Sequence, residues 1–431
     1  MSPSIPSRRE RRGPSVEVVR RARLRRDRRT SLRGLLGPDL AGARQSLVAL
    51  VAAGITATAA GLLLAGITGT LERLPGLLVL VPAAIGMRGN IFGALGSRLS
   101  TSIHAGTFRV SRRLDNVVTQ NVVAAAVLSL STAVVLAVAT KALAPAFGLH
   151  RIIGVGDLIV VSAVGALMSS VIVLVVTLAL ASVSARNGWD LDNVNAPLVS
   201  AVGDVVTLPA LFAASGLVSI SVFTPLLAIV LVLGSVFCAG WALRSGLTMV
   251  REIVRESLPV LLATGVLLIV AGVVIEHRLA VFARYPSLLI LVPACLAGAG
   301  AIGGILSGRL ASKLHLGLIA PTVTPSRSAR RDLMLGFVLA VPVFVLIGGL
   351  ADVAGRVFGF ASPGLVDLLT ISLTGGLIAT ALAGLIAYYG TAAAIRLGFD
   401  PDTYGIPLVT STVDLAGAAA IVTAISWIVV P

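Results

Sequence analysis

Two acids stand inside stretches that are otherwise apolar. Asp204 lies in Ala196-Pro-Leu-Val-Ser-Ala-Val-Gly-Asp-Val-Val-Thr-Leu-Pro209, and Asp414 lies in Ile406-Pro-Leu-Val-Thr-Ser-Thr-Val-Asp-Leu-Ala-Gly-Ala418. A carboxylate at bilayer depth costs about 2.5–3.5 kcal/mol on insertion scales, so its retention there points to a functional role. Two carboxylates facing one another repel, and one takes up a proton unless a cation lies between them. A divalent cation relieves that repulsion directly. Magnesium dehydrates reluctantly and keeps several waters, so one or two carboxylates with carbonyl and amide oxygens suffice for it. The same pair would also serve an intramembrane aspartyl protease. Such an enzyme is expected to show a Tyr-Asp pair and a Gly-x-Gly-Asp motif, whereas these acids follow Ala201-Val-Gly203 and Thr412-Val413. Enzymatic activity is therefore not expected, and neither is a resident cofactor.

Other polar residues lie near the two acids along the chain. Upstream of each stand further acids, Asp190 and Asp192 before Asp204, Asp400 and Asp402 before Asp414. They are candidates for helix caps, for partners of a helix's positive end, or for an ion-attracting mouth. Pro197 and Pro407 suit the first turn of the helices that follow. A second apolar stretch, Pro82-Ala-Ala-Ile-Gly-Met-Arg-Gly-Asn90, offers an amide oxygen at Asn90, with Gly89 permitting close backbone approach. Arg88, charged within that span, either snorkels to the interface or pairs with a carboxylate. Cys238 and Cys295 fall in apolar runs and read as small buried hydrophobes. No thiolate metal framework is expected, which disfavours copper or thiolate zinc.

The elements that hold these residues must be membrane helices. The 431 residues are 56% hydrophobic and 12% charged, with mean hydropathy +0.99, which excludes an ordinary soluble fold. Eleven stretches reach the length of about 20 residues that a bilayer requires. They run at 45–69, 75–97, 116–140, 156–184, 196–218, 222–243, 257–276, 286–308, 332–354, 364–394 and 407–430. The fourth and tenth are long enough to tilt, or to bend at Gly165 and at Gly375-Gly376. The 45 glycines and many alanines suit close helix packing. Residues 1–40 are Arg-, Ser- and Pro-rich and read as a disordered basic cytoplasmic arm. Anionic lipid headgroups are its candidate partner, and nucleic acid is not expected. Later loops on the same side as this arm carry fourteen Lys and Arg, against six on the other side. The N-terminus is therefore expected in the cytoplasm and the C-terminus outside, in a cell (plasma or inner) membrane.

The chain also repeats itself. Arg44-Gln-Ser-Leu47 matches Arg255-Glu-Ser-Leu258, and Leu78-Val-Leu-Val-Pro-Ala83 matches Leu289-Ile-Leu-Val-Pro-Ala294, both at an offset of 211. Asp157-Leu158 matches Asp367-Leu368, and Asp204 matches Asp414, at an offset of 210. The expected architecture is an all-α polytopic membrane protein of eleven transmembrane helices. Two five-helix repeats, 41–220 and 246–431, are joined by one connecting helix at 221–245 (5+1+5). Six crossings separate equivalent helices, so the repeats are expected to be parallel about a pseudo-twofold axis along the membrane normal. One chain is then a pseudo-dimer, and a higher oligomer stays open.

Here a resemblance enters. Val81-Pro82 through Gly89-Asn90, Ser97-Arg-Leu-Ser-Thr101, Asp190 through Pro197 and Gly203-Asp204 are similar to stretches of the MgtE and solute carrier family 41 group of magnesium and divalent-cation transporters. The doubled proline-to-aspartate spacing makes the resemblance fairly specific, over about 40–431. It implies that Asp204 and Asp414 coordinate a permeating divalent cation, most expectedly Mg2+, with Asn90 nearby. A secondary transporter for another small solute is the alternative; it usually needs more polar and aromatic groups. Two departures stand out. Repeat two has Ala301 and Ala299 where repeat one has Asn90 and Arg88, and with only about 40 residues before the first span the family's cytoplasmic regulatory domains are not expected.

Overall fold

The computed structural model describes residues 40–429 apart from 112, 188–190, 221, 316–317, 320–321, 323 and 397–405. Side chains are also left aside at 40–43, 45, 191–197, 315, 394–396 and 406. The basic arm expected at 1–40 and the side chains of Asp190, Asp192, Asp400 and Asp402 thus lie outside the described residues.

In the bilayer a backbone must satisfy its own polar groups, and the described residues do so with helices alone. The long helices are α1 (Leu40–Gly66), α3 (Leu77–His104), α4 (Val117–Leu143), α5 (Val155–Asn187), α6 (Leu191–Ser215) and α7 (Phe223–Arg244). They continue with α8 (Thr248–Glu276), α10 (Ser287–His315), α11 (Arg327–Val357), α12 (Leu365–Arg396) and α13 (Ile406–Ile428). Two short helices, α2 (Thr68–Arg73) and α9 (Leu279–Arg284), precede α3 and α10. Eleven helices among the described residues are long and apolar enough to cross a membrane.

Several helices outrun the expected spans. The stretches at 75–97, 257–276 and 332–354 are the apolar parts of α3, α8 and α11, which run on through polar residues such as Ser100, Arg251 and Arg327. Hydropathy marks the bilayer portion, whereas hydrogen bonding continues the helix past it. Pro407 does stand in the first turn of α13, but α6 begins at Leu191, ahead of Pro197.

Residues 46–431 form one unit. Within it, α8 packs against α3, α4 and α13, and α3 packs against α6. Glycines set the closest approaches. A Cβ added at Gly272 of α8 would stand 2.2 Å from the carbonyl oxygen of Val79 in α3, and one at Gly265 would stand 2.4 Å from Leu136 of α4. At matching positions, a Cβ on Gly61 of α1 would stand 2.4 Å from the Ile290 carbonyl oxygen of α10, and one on Gly54 would stand 3.4 Å from Ile347 of α11. The pairs Gly61–Ile290 and Gly272–Val79 are related by the same offset of 211. So the opening helix of each half lies against the second and third helices of the other half.

Hydrogen bonds repeat in the same way. Ser162 Oγ donates to the Ala133 carbonyl at 2.8 Å, and Ser372 Oγ donates to the Phe344 carbonyl at 2.7 Å. Such bonds between membrane helices stabilise by about 0.6 kcal/mol each. Gly165 and Gly375 let α5 and α12 approach the backbones at Leu211 and Ile421, 3.2 and 3.1 Å from an added Cβ. Helix α7 packs on α4, α5 and α8 and exposes Leu226, Ile229, Leu233, Val236 and Phe237.

Candidate functional site

Asp204 sits in the middle of α6, directly after the buried Gly203, and Asp414 sits at the corresponding place in α13. Both carboxylates are half-buried, while most residues one turn on, such as Thr207, Leu208, Gly417 and Ala418, are buried. Neither is hydrogen-bonded or ion-paired to a described residue. The charge of Asp414 acts on Asp204, so the two acids share one electrostatic neighbourhood. A Cβ on Gly300 of α10 would stand 3.0 Å from Asp414 Oδ1. That carboxylate therefore lies over bare backbone, and a larger residue at 300 would displace it.

On the repeat-one side, Gly89 occupies the place of Gly300, and no atom lies within 4 Å of a Cβ added there. Asn90 follows. It is half-buried, and its Nδ2 is enclosed with no hydrogen-bond partner among the described residues. Because oxygen and nitrogen of an amide are assigned rather than observed, either can face that space. An amide nitrogen and two carboxylates thus stand in apolar helices with no partner among the described residues. Among the described residues no three of His, Cys, Asp and Glu come together. Asp204 and Asp414 are therefore not joined there by a cluster of further such ligands.

Arg88 takes neither place expected for it. It does not snorkel, being only 2% exposed. Among the described residues it pairs with no acid either; Nη1 donates to the Ala166 carbonyl of α5 at 3.0 Å and to Ser170 Oγ. Its Nε is enclosed without an acceptor. Its stem packs on α6: a Cβ on Gly203 would stand 3.4 Å from Arg88 Cβ. Ser170 and Gly300 were not singled out from the sequence. The Ser169-Ser170 pair in an apolar helix and the alignment of Gly300 with Gly89 were the signals available.

Eleven helices long and apolar enough to cross a membrane, among the described residues, define a multi-pass membrane protein. A family model described as MgtE, divalent cation transporter, matches residues 81–214 and again 292–424, more than half of the chain. The chain belongs to the MgtE family of divalent cation transporters, and the match falls on each half in turn. Among solved structures, the eukaryotic MATE transporter AtDTX14 is similar at 13% identity over 89% of this chain and 95% of that one. Its TM-score of 0.31 carries no weight for fold or function.

Proposed function

We propose that this divalent cation transporter moves Mg2+ through a site made by Asp204 and Asp414, with Asn90 beside them. The observation that carries the proposal is the doubled acid. Two half-buried carboxylates recur at equivalent positions in α6 and α13, feel one another's charge, and have no partner among the described residues. A dication between them cancels both charges at once, and its retained waters reach the Asn90 amide and nearby carbonyls. In this arrangement the helices form two parallel five-helix repeats, 41–220 and 246–431, with α7 as the connecting crossing at 221–245. The N-terminus is cytoplasmic and the C-terminus is outside.

The test is uptake in cells lacking their own magnesium systems. Asp204→Asn and Asp414→Asn are each expected to abolish Mg2+-dependent growth and uptake while the protein remains in the membrane. Undiminished uptake in both variants would sink the proposal. Inner-shell ligand distances near 2.0–2.1 Å in a cation-bound structure would identify magnesium.

A further inference from the structure

The two halves carry one polar cluster in different forms. In repeat two the buried carboxylate of Asp332, on α11, accepts from Arg309 Nε at 3.1 Å and from Lys313 Nζ, both of α10. The residues 211 positions earlier are Asn121, Arg98 and Ser102. The arginine is kept, but the carboxylate has become a neutral amide and the lysine a serine. Where the ion pairs would lie there is a cavity of about 300 Å³, lined by Arg98, Ser102, Val117, Asn121, Met249 and Ile253 among others. That volume falls at the lower end of small-molecule sites, which run from about 300 to 1,000 Å³.

Arg98 Nη2 donates to Ser257 Oγ of α8 at 3.1 Å, one turn beyond Ile253 of the cavity wall. Its other nitrogens have no partner among the described residues, and the exposed Glu256 acts on it through charge without an ion pair. Asn121 is only 3% exposed. Its Nδ2 donates to the Val117 carbonyl at 2.9 Å, and its Oδ1 is enclosed with no partner among the described residues. Helices α4 and α8 both begin at this cavity, and no side chain caps the first turn of α8. Their N-termini bring positive partial charge to it. The end of α3 does not cancel this with free carbonyls, because Ala105, Thr107 and Phe108 donate to Thr101 and Ser102. A cation without its carboxylate thus stands beside a buried acceptor without its donor.

Arg98, Asn121 and Ile253 lie within two turns of the ends of the candidate spans Leu77–His104, Val117–Phe147 and Thr248–Glu276. Lipid headgroups lie at that depth, and basic pockets between membrane helices hold them. We infer that this cavity binds the headgroup of an anionic phospholipid that carries a hydroxyl, phosphatidylglycerol being the simplest. Its phosphate takes at Arg98 the place that the Asp332 carboxylate holds at Arg309. A headgroup hydroxyl donates to Asn121 Oδ1, and the apolar stem lies along Val117, Met249 and Ile253. The lipid then joins α8 to α3 and α4, as Asp332 joins α11 to α10. The site is separate from Asp204 and Asp414 and does not depend on their role.

The experiment melts the full-length protein, purified in detergent and stripped of lipid, with added ligands. These are dihexanoyl phosphatidylglycerol, dihexanoyl phosphatidylcholine and glycerol phosphate. Phosphatidylglycerol is expected to raise the melting temperature by several degrees, acting at concentrations about tenfold or more below those that phosphatidylcholine needs. Arg98→Gln is expected to raise the required phosphatidylglycerol concentration about tenfold or more. Asn121→Asp restores beside Arg98 the carboxylate of repeat two. It is expected to melt no lower than wild type without lipid and to lose the response to phosphatidylglycerol. Residues 1–40 are the same in every variant, so lipid held there does not distinguish them. No response in wild type overturns the inference, as does phosphatidylcholine acting as well as phosphatidylglycerol. A full response to glycerol phosphate overturns it too, since the ligand would then be a soluble phosphate. An undiminished response in either variant has the same consequence. If Arg98→Gln fails to fold, Asn121→Asp decides alone; if that variant also fails, the cluster is purely structural and the inference falls.

Discussion

At the scale of single residues, an amide nitrogen and two carboxylates with no partner among the described residues lie in helices long and apolar enough to cross a membrane. Asn90 belongs to one half only, because Ala301 occupies its place in the other. Asn90→Ala is expected to lower the maximal rate of Mg2+ uptake several-fold, whereas Ala301→Ser leaves it within about twofold; uptake rates in vesicles decide it. Equal effects would mean that the second halves of the path are equivalent despite their different residues. The acids were legible in the sequence because a carboxylate contrasts so sharply with its apolar neighbours. The place of Arg88 was not legible. Snorkelling and ion pairing both fit its position along α3, and only the arrival of Ala166 and Ser170 from α5 decided against them.

At the scale of helices, close approach depends on glycine in specific places. Gly272→Ala would put a methyl 2.2 Å from the Val79 carbonyl oxygen, a contact that neither backbone can yield without separating α8 from α3. It is expected to destabilise by about 1–3 kcal/mol, read as a lower melting temperature in detergent. Gly89→Ala, with no atom within 4 Å of the new methyl, is expected to leave melting unchanged to within about 0.5 kcal/mol. The two halves also differ where the second and third helices meet. In repeat two, the buried Asp332 accepts from Arg309 at 3.1 Å and from Lys313. The corresponding residues of repeat one, Arg98, Ser102 and Asn121, line a cavity of about 300 Å³ with Met249 and Ile253. Asp332→Asn removes the charge that joins two cations. Both cations are about a quarter exposed, so solvent screens part of the loss. A destabilisation of about 1–3 kcal/mol is expected by thermal melting, below the cost of breaking a fully buried pair. Asn121→Ala, on the cavity side, is expected to cost less.

At the scale of the molecule, the exchange of opening helices ties the halves together. The contacts of α1 with α10 and α11, and of α8 with α3 and α4, join segments far apart in the chain, such as Gly61 with Ile290 and Gly265 with Leu136. Residues 1–245 and 246–431, expressed as separate chains, are therefore expected to be unstable alone and to co-purify as an active complex when produced together. Independent folding of either half, shown by a monodisperse profile and an unchanged melt, would contradict the exchange. By itself the sequence determined the membrane class, the number of crossings, the two-fold internal repetition and the two acids. Each of these is written in local apolar length, or in a spacing that recurs along one chain. Only the tertiary structure decided which helix of one half lies on which helix of the other, and where the Arg88 guanidinium goes. In a bilayer every helix is apolar on most sides, so the hydrophobic pattern does not distinguish a lipid-facing side from a partner-facing one. That choice falls to small residues and single hydrogen bonds meeting across distant segments, such as Gly272 on Val79 and Ser170 on Arg88.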